Sequence, residues 1–90
     1  MASIHLTAYF SGRVQGVGFR YQTREIAKGF DVTGYVQNLS DGRVLLVAEA
    51  GEKELDSFLA EIEDKLSAYI RKTESSKTPE LKGYTDFTIR

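Results

Sequence analysis

Apolar and polar positions alternate from the start of the chain: Ile4, Leu6, Ala8 and Phe10 are separated by His5, Thr7, Tyr9 and Ser11. A period of two over this length predicts a strand with one buried face. The alternation stops at Gly12-Arg13-Val14-Gln15-Gly16-Val17-Gly18, where three glycines fall within seven residues and favour a tight backbone excursion over a regular element. From Phe19 the period becomes helical, with Phe19, Thr23, Ile26, Ala27 and Phe30 on one face and Gly29 as the expected stop.

Asp31 to Gln37 predicts a second strand, with Val32, Gly34 and Val36 on one side, and Asp41-Gly42 marks a hairpin turn after it. Arg43 to Ala50 is apolar almost throughout, which suits a central strand. Glu52 and Glu54 open a second helix at the end where the helix dipole favours negative charge, and Leu55, Phe58, Leu59, Ile62 and Leu66 form its apolar stripe. A fourth strand is expected over Tyr69 to Thr73. A polar loop over Glu74 to Glu80 holds the only proline, and a last strand runs over Tyr84 to Arg90. The order β-α-β-β-α-β plus an edge strand gives an α+β, ferredoxin-like sandwich, with two helices on one face of a mostly antiparallel sheet of four to five strands. One domain over residues 1–90 is expected, since no linker or repeat divides the chain.

Composition narrows the function more than the fold. Lys and Arg number 12 against 13 Asp and Glu, so there is no broadly basic surface for nucleic-acid backbones. A chain this short buries little more than about three-fifths of its unfolded surface, which leaves room for a shallow site only. The absence of cysteine removes disulfides, a thiolate nucleophile and cysteine-ligated zinc, and fits a reducing compartment. The N-terminus carries no signal-peptide pattern, and no apolar run approaches the roughly 20 residues of a membrane span, so the cytoplasm is the expected location. No carboxylate and histidine spacing suggests a metal site, and no cofactor is expected.

The second helix has acidic residues in its first turn, whereas the first begins after Gly18 with no Ser, Thr, Asp or Asn in the capping position. Its first N–H groups are left without an acceptor. The backbone of Gln15, Gly16, Val17, Gly18, Phe19 and Arg20 therefore forms a candidate anion cradle, aimed with the positive end of the helix. The planar fork of Arg20 could grip two oxygens of one phosphoryl group. An ordinary strand-to-helix connection would also use these glycines. The run is neither a Walker A loop nor a dinucleotide fingerprint. In this topology a right-handed crossover makes the first two strands parallel with the third between them. The glycine loop and Asn38 then leave the sheet at one edge, two strand spacings or roughly 9 to 10 Å apart. By itself Asn38 fits a turn-stabilising role as well.

The run from Gly12 to Arg20 resembles the acylphosphatase signature. Gly34-Tyr35-Val36-Gln37-Asn38, followed by Asp41-Gly42-Arg43-Val44, resembles that family's second motif, and the order of elements agrees through the closing Tyr84 to Arg90. The resemblance implies that Arg20 binds the substrate phosphate, that Asn38 positions the attacking water and that the backbone from Gln15 to Arg20 is the phosphate-binding loop. It implies metal-free hydrolysis of small acyl phosphates, such as acetyl, carbamoyl and glyceroyl phosphate, to a carboxylate and inorganic phosphate. Inorganic phosphate or sulfate would bind as product or analogue, and a monomer is expected. Two positions depart from the family pattern: Ala50 stands where glycine is frequent, and Lys65 to Tyr69 lacks a common Gly-Pro.

His5 faces away from the apolar side of its strand and is assigned no chemistry. Tyr9, Tyr21 and Tyr35 are expected to cover sheet or helix surface, and the acidic run Glu49 to Asp64 to be mostly a solvated helix face. An RNA-recognition domain shares this architecture, but its central strand would expose stacking aromatics, and Arg43 to Ala48 has none. A regulatory domain that binds a metabolite at the same loop without turnover is the other rival.

Overall fold

The alternation at the start of the chain forms strand β1 (Ser3–Gly12). Leu6, Ala8 and Phe10 lie fully buried on one side of it in the computed structural model, which describes residues 2–90. After the glycine loop come α1 (Phe19–Ala27), β2 (Thr33–Asn38), β3 (Val44–Gly51), α2 (Glu52–Lys65), β4 (Ile70–Thr78) and β5 (Phe87–Ile89). The strands form one sheet in the order β4-β1-β3-β2-β5. Every neighbouring pair is antiparallel except β2 with β5. Because β1 and β2 both run against β3, they are parallel to each other, and their C-terminal ends meet at one edge of the sheet.

Both helices cover one sheet face. Phe19 and Ile26 from α1 and Leu55, Phe58 and Ile62 from α2 pack onto Leu6, Phe10, Val36 and Leu46 in a single cluster. Phe58 ties the layers together: its ring centroid lies 5.5 Å from Phe30 and 5.7 Å from Phe87 of β5. Burying each such side chain contributes roughly 1.5 to 3 kcal/mol, so the aromatic contacts are a large part of the stability of so small a domain.

The last third of the chain departs from its pattern. β4 does not end at Thr73 but continues through Thr78. Most of the polar residues expected to form a loop instead pair along β1, from Thr78 opposite His5 to Glu74 opposite Tyr9. β1 is long enough to offer that edge, and backbone pairing needs no apolar side chains. On the helix side Lys77 bonds Glu52 and Asp56 of α2, which suits an outer strand kept soluble by charge. β5 is correspondingly short, and Tyr84 lies outside it.

β4 and β5 sit at opposite edges, so residues 79–86 must cross the sheet. They do so on the face away from the helices. Ala48 and Ala50 point into the core, which turns Glu49 to the other face, where its carboxylate accepts the backbone N–H groups of Lys82 at 2.7 Å and Gly83 at 3.0 Å. His5 Nδ1 stands 2.6 Å from the same carboxylate. Glu49 is thus a buried strand residue and no part of the solvated acidic face expected over Glu49 to Asp64; that face begins with α2.

Burial pushes the Glu49 carboxyl upward, but the hydrogen bonds from His5 and from the Lys82 and Gly83 backbones outweigh it and hold the group below its usual 4.5. A depressed folded value stabilises the fold fully above that usual value, and the stabilisation is lost as pH falls through the folded one. Thermal melts by circular dichroism from pH 7 to 3 should therefore show wild-type Tm falling steeply at the acid end. Glu49→Gln should begin with a lower Tm at pH 7 and lose less of it on acidification; parallel curves for the two proteins would contradict the clamp.

Candidate active site

Two buried side chains pin the glycine loop. Val14 is buried before the glycine turn, and Phe19 is buried after it, with its ring 5.2 Å from that of Phe10. The backbone between them stands clear of the core. Gly16 and Gly18 have φ of +77° and +79°, and nothing lies within 4 Å of a Cβ built at either position. The demand for glycine is therefore conformational: this left-handed backbone costs another L-residue roughly 1 to 2 kcal/mol.

Gly18 is the N-cap of α1. No side chain caps the helix and no acidic residue occupies its first turn. The first helical bond runs from the Gln22 N–H to the Gly18 carbonyl at 3.0 Å. Among the described residues no backbone carbonyl accepts from the N–H groups of Gly16 to Tyr21. These donors, the dipole behind them and the Arg20 side chain border a shallow cleft of ≈200 Å³, whose lining includes Gly16, Gly18, Arg20, Asn38 and Ile89. A larger hollow of ≈470 Å³ beside Ala2 and Ile4 is lined by Glu52, Lys53 and Asp56, with both acids already paired to Lys77.

Asn38 is the last residue of β2 rather than a turn residue. Alternation with Val36 puts it on the helix side of the sheet. Its side-chain Oδ1 is shielded from solvent and has no hydrogen-bond partner among the described residues, an uncommon and costly state for a buried acceptor. The strand order β1-β3-β2 sets this carboxamide two strands from the loop, as the topology argument requires.

Two further groups hold the site together, and sequence reasoning missed both. The Gln15 side-chain Nε2 donates to the carbonyls of Leu39 at 2.7 Å and Arg43 at 2.9 Å, which bolts the loop to the β2–β3 turn and so to Asn38. Only the backbone of Gln15 was expected to matter. Arg20 Nη1 donates to a main-chain oxygen of Arg90 at 2.8 Å, which tethers the guanidinium of a cleft-lining residue to the end of β5. The signal for Arg90 lay in the parallel pairing of β5 with β2, which brings the ends of both strands to one edge, and nothing in the side-chain pattern declares a parallel edge strand.

The remaining candidates fall elsewhere. His5 is buried under the crossing segment, at the far end of β1 from the loop. Tyr9 and Tyr35 cover the open sheet face, beneath the guanidinium groups of Arg43 at 4.5 Å and Arg90 at 3.9 Å. Tyr21, by contrast, is 54% exposed and lines the cleft. Among the described residues no group of three or more His, Cys, Asp or Glu side chains gathers where a metal ion could sit.

The family model described as acylphosphatase matches residues 6–89. The chain is 44% identical over 87 residues to an acylphosphatase of Archaeoglobus fulgidus, covering 96% of this chain and 97% of the relative. It is 46% identical over 79 residues to an acylphosphatase of Thermotoga maritima, covering 88% of each. The crystal structure of acylphosphatase from Bacillus subtilis superimposes with a TM-score of 0.89 at 30% identity, covering 97% of this chain and 98% of that one. With sequence and fold matched from end to end, the chain belongs to the acylphosphatase family.

Proposed function

We propose that this protein hydrolyses acyl phosphates to a carboxylate and inorganic phosphate, with the phosphoryl group held by Arg20 and the backbone from Gln15 to Arg20, and with water oriented by Asn38. The observation that carries this reading is the meeting, in one cleft, of uncapped N–H donors at a helix N-terminus, a guanidinium, and a buried carboxamide oxygen with no partner. Backbone donors and a positive helix end favour an anion. Asn38 lines the same cleft, and a carboxamide can hold a water molecule there by hydrogen bonding.

The chemistry follows from what the cleft lacks as much as from what it holds. No carboxylate or histidine lines it, so the reaction must proceed without a strong protein base. In an acyl phosphate the leaving group is a carboxylate, which departs without being protonated. Water attacks phosphorus in line, the new P–O bond forms, and the P–O bond to the acyl group breaks with its electron pair leaving on the carboxylate. The proton of the attacking water passes to a phosphoryl oxygen, giving dihydrogen phosphate. The protein's part is to position the reactants and to stabilise charge on the equatorial oxygens, which is the larger share of phosphoryl-transfer catalysis. Arg20 and the loop amides supply that stabilisation. The Asn38 carboxamide holds the attacking water and orients it towards phosphorus. Tyr21 and Ile89 give the acyl group apolar surface to rest on.

The small acyl phosphate is the partner this cleft suits. On the sheet face that an RNA-recognition domain would leave bare, residues 79–86 cross and Tyr84 packs edge-on against Tyr35 at 5.7 Å. Among the described residues no helix is long and apolar enough to cross a membrane.

Steady-state hydrolysis of acetyl or benzoyl phosphate tests these roles. Arg20→Ala should lose phosphate binding and transition-state stabilisation together, on the order of 100-fold or more in kcat/KM, as for deletion of a preorganised donor. Asn38→Ala should lower kcat while leaving inhibition by inorganic phosphate near the wild-type value; unchanged kcat in a folded Asn38→Ala protein would remove its assigned role. Excess chelator should leave wild-type turnover intact, and a loss restored by added divalent cation would overturn the metal-free mechanism.

A further inference from the structure

Glu49 is the one buried acid among the described residues, and the mechanism above gives it nothing to do. A buried carboxylate costs stability unless it is well hydrogen-bonded, and this one is bonded chiefly to the crossing segment. Two of its three donors are the Lys82 and Gly83 N–H groups; His5 is the third. It lies level with His5 on β1, seven residues or roughly 23 Å along the strand from the glycine loop.

The segment it clamps leads directly to the site. After Gly83, Tyr84 packs on Tyr35, and the Asp86 carbonyl accepts the Gly34 N–H at 2.8 Å. Phe87, Thr88 and Ile89 then pair in parallel with Gly34, Tyr35 and Val36. The Arg90 N–H donates to the Val36 carbonyl at 2.8 Å, and the Arg90 main-chain oxygen receives Arg20 Nη1. A three-residue edge strand has little pairing of its own to fix its position. Its register is held at one end by the Glu49 clamp and at the other by Arg90, whose guanidinium sits 3.9 Å above the Tyr35 ring.

We propose that Glu49 is a positioning residue for Arg20: by clamping the Lys82 and Gly83 backbone it holds β5 in the register that presents the Arg90 main-chain oxygen to the guanidinium. The inference rests on the reading of Arg20 as the phosphate-binding arginine. Releasing the clamp frees β5 to shift, and Arg20 loses the acceptor that tethers it.

The test compares wild type, Glu49→Gln and Ile62→Val, the last a fully buried α2 position away from the crossing segment, each assayed where circular dichroism shows it fully folded. Glu49→Gln should raise the KM for acetyl phosphate and the inhibition constant of inorganic phosphate in parallel, roughly 3- to 10-fold, the size of effect carried by remote positioning residues. kcat should change less. Ile62→Val should lower Tm and leave both constants alone. If folded Glu49→Gln loses Tm but keeps wild-type KM and phosphate inhibition, the clamp only stabilises the fold and the proposal is wrong. A measurement on wild type alone serves if the variant does not fold. Coupling between two sites is reciprocal, so saturating inorganic phosphate should slow hydrogen exchange of the Lys82 and Gly83 amides relative to those of β4, and unchanged exchange under bound phosphate also overturns the proposal. A wild-type protein that neither binds phosphate nor hydrolyses acyl phosphates would instead remove the functional reading, and this inference with it.

Discussion

The N–H groups that begin α1 have no acceptor among the described residues, and the rest of the site keeps them that way. A helix of nine residues would ordinarily take a Ser, Asp or Asn cap and gain stability from it. Here a left-handed glycine fills the cap position and leaves the donors free. Their arrangement survives because Val14 and Phe19 are buried on either side of the turn and because the Gln15 carboxamide ties the turn to the β2–β3 hairpin. Each anchor acts on one flank of a short backbone excursion, so the donors are held by the core without being covered by it.

Sheet topology supplies the second half. With β3 between β1 and β2, the loop and Asn38 are fixed two strands apart by pairings that run the length of β3. The spacing is thus a property of the sheet, insensitive to the details of either loop. Asn38, as the final β2 residue, inherits the precision of the strand and not the mobility of the turn that follows.

The elements that were legible in the sequence are those whose side chains carry the signal. Alternation in Ile4 to Phe10, the helical spacing of Phe19 to Ala27 and of Leu55 to Ile62, and the glycine run all reflect side-chain burial or backbone conformation, and each formed as expected. β4 beyond Thr73 was hidden because its residues are held by hydrogen bonds to β1, to which Glu74, Ser75 and Ser76 contribute backbone and no apolar pattern. β5 was overextended because Tyr84 is aromatic for a different reason: it packs on Tyr35 across the open face. Arg20 and Asn38 became candidates through their positions together with the resemblance to acylphosphatases. Gln15 as a bolt, the Arg90 main-chain oxygen and the Glu49 clamp could not be picked out, since each acts through a contact with residues distant in the chain.

A cleft with no protein base selects its own substrates. Esters and ordinary phosphate monoesters need a proton delivered to a poor leaving group, and no carboxylate or histidine lines this cleft to deliver it. A mixed anhydride needs none. What remains is to hold a dianion still and to neutralise its charge as it changes shape, the task proposed above for the loop amides and Arg20. Backbone donors need no enclosed pocket, only a turn held firmly at both ends, which suits a fold with so small a core.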